Sequence, residues 1–140
     1  MFVVLDTNHF SELVRDSPRV VTLQRNVAER KADVFVTVIT AQESFEGWFA
    51  LINRERAVFD QTKAYAQFLR SIETVVKFTI LPFDPDSARI FQRLRDEGIR
   101  IGTMDLKIAA ICLAHDATLL TRNRVDFDKV PGLRVENWLD

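Results

Sequence analysis

A chain of 140 residues, 47% hydrophobic and 28% charged, has the size of one domain over residues 1–140 and the composition of a globular protein that buries its own core. A single cysteine excludes an internal disulfide framework, and a net charge of −1 excludes a general basic coat for nucleic acid, leaving only local basic patches. Four glycines and four prolines leave little material for linkers, and no apolar run reaches the about 18 residues of a membrane span.

Phe2 to Leu5 is an apolar run with two β-branched valines, the pattern of a buried strand. It is too short for a secretory signal and no basic residue precedes it, so a cytoplasmic chain without membrane association is expected. Asp6-Thr7-Asn8 follows, then a short helical pattern through Leu13. Ser17-Pro18 reads as a cap followed by proline at the first helical position, opening a helix to about Arg30. Val34 to Val38 is a second strand. Ile39 to Ile52 and Glu55 to Val76 read as a helical hairpin joined near Asn53. Its apolar faces carry Phe45, Trp48 and Phe49, then Val58, Phe59, Tyr65, Phe68, Leu69 and Ile72, expected mainly as core with part available to a dimer face.

Phe78 to Leu81 is a third strand, and Asp84-Pro85 opens the next helix, ending near Gly98. Ile99 to Ile101 is a short connection. Thr103 is the expected cap of the helix Met104 to His115, in which Cys112 reads as a buried core thiol. Ala117 to Thr121 is a fourth strand, Phe127 to Pro131 a turn, and Leu133 to Glu136 a short fifth strand. Alternating strands and helices predict an α/β fold with a largely parallel sheet.

In such sheets the functional crevice lies beyond the carboxyl ends of the strands. Asp6 directly follows strand one. Glu43 lies about one turn into the helix after strand two. Asp105 opens the helix leading into strand four, and Asn123 and Asp126 follow that strand. Each has an ordinary structural use: Asp6 as a helix cap, Glu43 and Asp105 as first-turn acids, Asp126 as a turn residue. Their shared edge is what points to chemistry. Carboxylates gathered without a cation repel one another, and an all-oxygen ligand set suits Mg²⁺ or Mn²⁺. Neither His9 nor His115 has metal-ligand spacing; His9 reads as a helix-face residue. The predicted reaction is phosphodiester hydrolysis by metal-activated water. Asp6 and Asp105 are the expected ligands, and Glu43 orients or deprotonates the water or holds a second ion. Asn123 and Asp126 surround the ligands, and Thr7 or Thr121 donates to a ligand oxygen. Arg93, Arg95, Arg100, Lys107, Arg122 and Arg124 supply the local basic residues.

Leu5-Asp6-Thr7-Asn8, Glu43 at the end of the VITAQE segment, Asp105 within IGTMDLKIAA, and Thr121 to Phe127 together resemble the PIN domain. More narrowly they resemble the VapC toxins of bacterial and archaeal toxin–antitoxin pairs, a likeness that extends to the tail from Lys129 to Trp138. The resemblance implies a three-layer α/β/α fold with a central, mostly parallel sheet of four to five strands. It also implies Mg²⁺- or Mn²⁺-dependent endoribonuclease activity on RNA, a homodimer, and inhibition by a cognate antitoxin protein. By position Asp6, Glu43 and Asp105 match the three acids of the family. The fourth position is Asn123 by the family's spacing, with Asp126 three residues on, so which of the two fills it stays open. An antitoxin helix would enter an apolar groove, for which Trp48, Phe49, Phe45 and Phe10 are candidates. Two competing readings are a phosphatase of the haloacid dehalogenase type, which wants a second Asp where Asn8 stands, and a PIN-like binding module without activity.

Overall fold

Apolar residues that alternate faces over short β-branched runs build a five-stranded sheet in the computed structural model, which describes residues 1–140. Its strands are β1 (Phe2–Leu5), β2 (Asp33–Thr37), β3 (Thr79–Leu81), β4 (Thr118–Leu120) and β5 (Val135–Glu136), in the order β3-β2-β1-β4-β5. Every pairing is parallel, and Val4 lies opposite both Phe35 and Leu119. Central β1 is buried on both faces. Val3 and Leu5 join one apolar cluster and Val4 the other, so each face of the sheet carries its own core. Each such side chain contributes about 1.5–3 kcal/mol on burial, which is why this run tolerates no charge until Asp6.

Helices α1 (Thr7–Arg15), α2 (Arg19–Arg30) and α4 (Val58–Val75) cover the Val3/Leu5 face through Phe10, Val14, Leu23 and Val75. Helices α5 (Pro85–Asp96) and α6 (Thr103–Ala114) cover the other through Leu94, Leu106 and Ile108. Helix α3 (Val38–Arg54) contributes to both: Ile39 belongs to the second core and Phe45 and Trp48 pack on the first. Helix α6 is apolar around most of its circumference, and Cys112 within it is fully buried, its thiol pushed up by burial and, less, by Asp6. This is the inert core thiol expected.

Several local expectations are corrected. Pro18, not Ser17, occupies the cap position of α2 and no side chain caps it; the Ser17 N–H instead closes α1 on the Glu12 carbonyl at 3.2 Å. Gly102, not Thr103, precedes α6, and the Thr103 hydroxyl accepts from Arg95 at 2.8 Å. The supposed turn after Phe127 is preceded by one helical turn, α7 (Arg124–Phe127), nucleated by Asn123, whose side chain accepts from the Asp126 N–H. The Asp84-Pro85 start of α5 forms as expected, with the Asp84 carboxylate accepting from the Ser87 N–H at 2.9 Å. In α4 the apolar stripe is not core. Ser71 and Val75 are buried, whereas Phe59 is 85% and Leu69 57% exposed. Helical spacing reveals an apolar stripe but not what covers it, and only one side of the α3–α4 hairpin meets the sheet.

The chain runs outward from β1 to β2 and β3, then returns to place β4 and β5 on the other side of β1. The reversal falls between β1 and β4, and their carboxyl ends therefore open onto a crevice. No helix is long and apolar enough to cross a membrane.

Candidate active site

Asp6 is the first residue past β1 and is fixed twice. Its N–H donates to the Leu120 carbonyl at 3.0 Å, extending the β1–β4 ladder by one step. Its Oδ1 accepts the His9 N–H at 2.8 Å and caps α1. The residue is 5% exposed, so a carboxylate is held almost dry at the reversal of strand order.

Glu43 comes from α3. The Thr7 hydroxyl donates to its Oε1 at 2.6 Å and lies 3.4 Å from the Thr40 hydroxyl, which in turn neighbours Thr37, the cap of α3. The residue after Asp6 thus ties the β1 end to the β2 end. Asp105 sits in the first turn of α6, half-buried, above the unobstructed Gly102: a Cβ there would stand 3.8 Å from Asp105 Oδ2. Its carboxyl is pushed up to about 6, first by burial and then by the charges of Glu43, Asp6 and Asp126. The open N-terminus of α6 should favour the anion, but a helix end is worth only about 0.3–1 kcal/mol, and burial with three neighbouring acids outweighs it.

Asp126 takes a different environment. Asn123 Nδ2 donates to its Oδ2 at 3.0 Å and Lys129 Nζ lies 3.5 Å from Oδ1, and this hydrogen bond, then that charge, hold its carboxyl below the usual range. The Thr121 hydroxyl accepts the Asn123 N–H at 2.9 Å and so shapes the turn. The structure therefore brings Asp6, Glu43 and Asp126 within electrostatic reach of Asp105, with Thr7 joined to Glu43. It joins Thr121 to Asn123 and Asn123 to Asp126 by hydrogen bonds. No three of these groups are drawn into a closed metal cage. An all-oxygen set coupled through Asp105 still fits a hard divalent ion, since Mg²⁺ keeps several waters and uses one or two carboxylates.

Other assignments shift. His9, read as a helix-face residue, is fully buried with Nδ1 3.3 Å from Asp6 Oδ1. The three-residue spacing from Asp6 within one helical turn is the signal that places it there. Phe10 is wholly in the core and cannot line a groove; Phe45 and Phe49 pack against Phe68 at 5.3 and 5.0 Å between ring centres. Trp48 lines a cavity together with Thr7, Arg15, Glu43, Gly47 and Leu51. Most of the basic residues are spent locally: Arg93 on Glu97, Arg122 on Asp140, Arg124 on Asp128, Arg95 on Thr103 and Phe91, Lys107 over Phe83. Asn8 is exposed and leaves no second carboxylate where a haloacid dehalogenase would need one.

The sequence matches the PIN domain family over residues 3–133. It is 30% identical to "Ribonuclease VapC1" of Rickettsia felis, the alignment covering 88% of this chain and 93% of that protein. It is 32% identical to "Toxin FitB" of Neisseria gonorrhoeae over 99% of each. Among solved structures it resembles VapBC-5 from Mycobacterium tuberculosis, a member of the VapBC family of toxin–antitoxin systems. That likeness has a TM-score of 0.63 at 29% identity, covering 97% of this chain and 96% of that one.

Proposed function

The chain belongs to the PIN-domain family, and from that premise we propose that it is a divalent-metal-dependent endoribonuclease, the toxin of a toxin–antitoxin pair acting in the cytoplasm. The observation that carries the reading is Asp105. Its half-buried carboxyl gathers the charges of Glu43, Asp6 and Asp126, acids from separate segments that together with burial push it up to about 6, and such a concentration of negative charge suits a divalent cation. Bound Mg²⁺ or Mn²⁺ supplies a Lewis acid that activates water and stabilises charge building on phosphorus.

The chain's own groups divide the remaining work. Asp6 and Asp105 would hold the cation. Thr7 occupies Oε1 of Glu43, which leaves Oε2 to orient the attacking water and take its proton. Asp126, its carboxyl held low by Asn123 and Lys129, adds negative potential at Asp105, and Thr121 fixes the turn that carries it. Purified protein is expected to cut structured RNA with Mg²⁺, to stop when EDTA removes the metal, and to recover with Mn²⁺. Cleavage unaffected by EDTA would sink the metal-dependent assignment, and no cleavage of any RNA offered to protein freed of its partner would favour a binding module.

An antitoxin has a fitting place. The cavity lined by Trp48, Gly47 and Leu51 also takes in Glu43 and Thr7, so an antitoxin helix that seats an apolar side chain there would cover Glu43. A Cβ at Gly47 meets nothing within 4 Å, so the side chain of Gly47→Leu starts in open space at the cavity wall. We expect this variant to cleave RNA as wild type does while its co-expressed antitoxin neutralises it at least about tenfold less well, a loss of about 1.4 kcal/mol. Unchanged neutralisation would move the antitoxin elsewhere. The exposed apolar side chains of α4, Phe59 and Leu69 among them, suit a second copy of the chain, and light scattering of the pure protein decides whether it is a homodimer.

A further inference from the structure

His9 has no part in the chemistry above, yet it is fully buried beside Asp6. A neutral imidazole offers one N–H and one lone pair, and a buried ring must place both. The backbone N–H of Trp138 reaches Nε2 from 3.4 Å. A backbone amide only donates, so Nε2 presents its lone pair and the ring proton sits on Nδ1. Nδ1 has no well-aligned hydrogen-bond partner and lies 3.3 Å from Oδ1 of Asp6. Hydrogen bonds of this kind are often long before ligands bind and tighten in the complex.

The tautomer is thus set by a segment 129 positions further along the chain. That segment is itself held. Asn26 Nδ2 donates to the Trp138 carbonyl at 3.1 Å, the indole is 1% exposed, and the Arg30 guanidinium lies over it at 4.7 Å. At the other end, Oδ1 of Asp6 already accepts the His9 backbone N–H, while Oδ2 has no protein hydrogen bond. One oxygen of Asp6 is committed to His9 and the other is not.

We propose that His9 is a positioning residue for Asp6: its Nδ1–H, oriented by the Trp138 amide, holds Oδ1 so that the free carboxylate oxygen is the one offered to a divalent cation. The proposal rests on the carboxylate site argued above. Outer partners that orient a ligating group are worth about 10–100-fold in metal affinity or activity.

Three substitutions of His9 in the full chain separate positioning from packing. His9→Asn puts an amide nitrogen where Nδ1 stands. His9→Gln carries its amide one bond further, toward Trp138 and away from Asp6. His9→Phe fills the space with no donor. Mn²⁺ affinity by calorimetry, kcat and KM on RNA, and Tm are measured for each. We expect His9→Gln and His9→Phe to lose about 10–100-fold in Mn²⁺ affinity, with kcat falling and KM for RNA little changed. His9→Asn recovers most of that loss although it leaves a small void and a lower Tm than His9→Phe. A ranking of metal affinity that follows Tm instead, or His9→Gln binding Mn²⁺ as wild type does, overturns the proposal alone. Wild-type protein that binds no Mn²⁺, with Asp105→Asn cleaving normally, overturns the carboxylate site and this proposal with it.

Discussion

Asp105→Asn is expected to reduce RNA cleavage by about 10³-fold while making the metal-free protein more stable at neutral pH. The loss follows from removing a group proposed to hold the cation: transition-state stabilisation of several kcal/mol would disappear, and each 1.36 kcal/mol is about tenfold. The gain follows from the same carboxyl being pushed up to about 6 from an ordinary value of 3.8. The folded chain holds this proton more tightly than the unfolded chain does. Stability therefore falls as pH rises from about 4 through 6, and above that the penalty is fully present. Asp105 is half in contact with solvent, and after screening the penalty is on the order of 1–2 kcal/mol. The amide removes it, so Tm at pH 7 should rise by roughly 3 °C or more, and the two proteins should converge below about pH 4. Mn²⁺ should raise the Tm of wild type and not of the variant. Thermal melts across pH 4 to 8, with and without Mn²⁺, check all of this. A variant that is less stable than wild type at pH 7, or that cleaves within a few-fold of it, removes Asp105 from the centre of the site.

Much of this arrangement is legible in the chain because parallel α/β topology fixes where strand ends go. The run Phe2–Leu5 must be buried on both faces, so the first polar residue after it, Asp6, falls at the sheet's edge. The same reasoning brings Asp105 and Asp126 to that edge from either side of β4. What the sequence does not display is pairing across distance. Nothing local says that Thr7 will hydrogen-bond Glu43, 36 positions away, because that depends on β2 lying beside β1. Nothing local separates Phe10, fully buried, from Phe59, 85% exposed, because both stand at apolar positions of amphipathic helices and differ only in whether a sheet lies beneath them. The helical turn Arg124–Phe127 escapes pattern reading because four residues hold no period; its start is set by one side-chain bond from Asn123 to the Asp126 N–H. The Asn123 amide also donates to Asp126 Oδ2, so the two residues are joined within one turn, and a reading along the chain does not rank them.

Asp6 is where the ordinary reading and the chemical one meet in a single residue, and a pair of substitutions can separate them. Asparagine caps a helix about as well as aspartate, so Asp6→Asn keeps α1 anchored through the His9 N–H while removing the charge at the β1–β4 crevice. Alanine removes both. We expect Asp6→Asn and Asp6→Ala to lose RNA cleavage equally, by about 10²–10³-fold. Their stabilities should differ. Asp6→Ala should be lower by about 1 kcal/mol for the missing cap. It should lose a further amount of about 1 kcal/mol or more because the His9 amide is buried and then has no partner. Asp6→Asn should hold its stability or gain slightly, since one of the charges that raise the Asp105 carboxyl is gone. Urea unfolding of the two variants beside wild type gives these differences directly. If Asp6→Asn cuts RNA at the wild-type rate and only Asp6→Ala fails, Asp6 is a cap and nothing more, and the cation must be held without it. If both fail while the stabilities separate as stated, one carboxylate both starts a helix and serves the reaction, because the crevice opens where the strand ends and the helix must begin at that same residue.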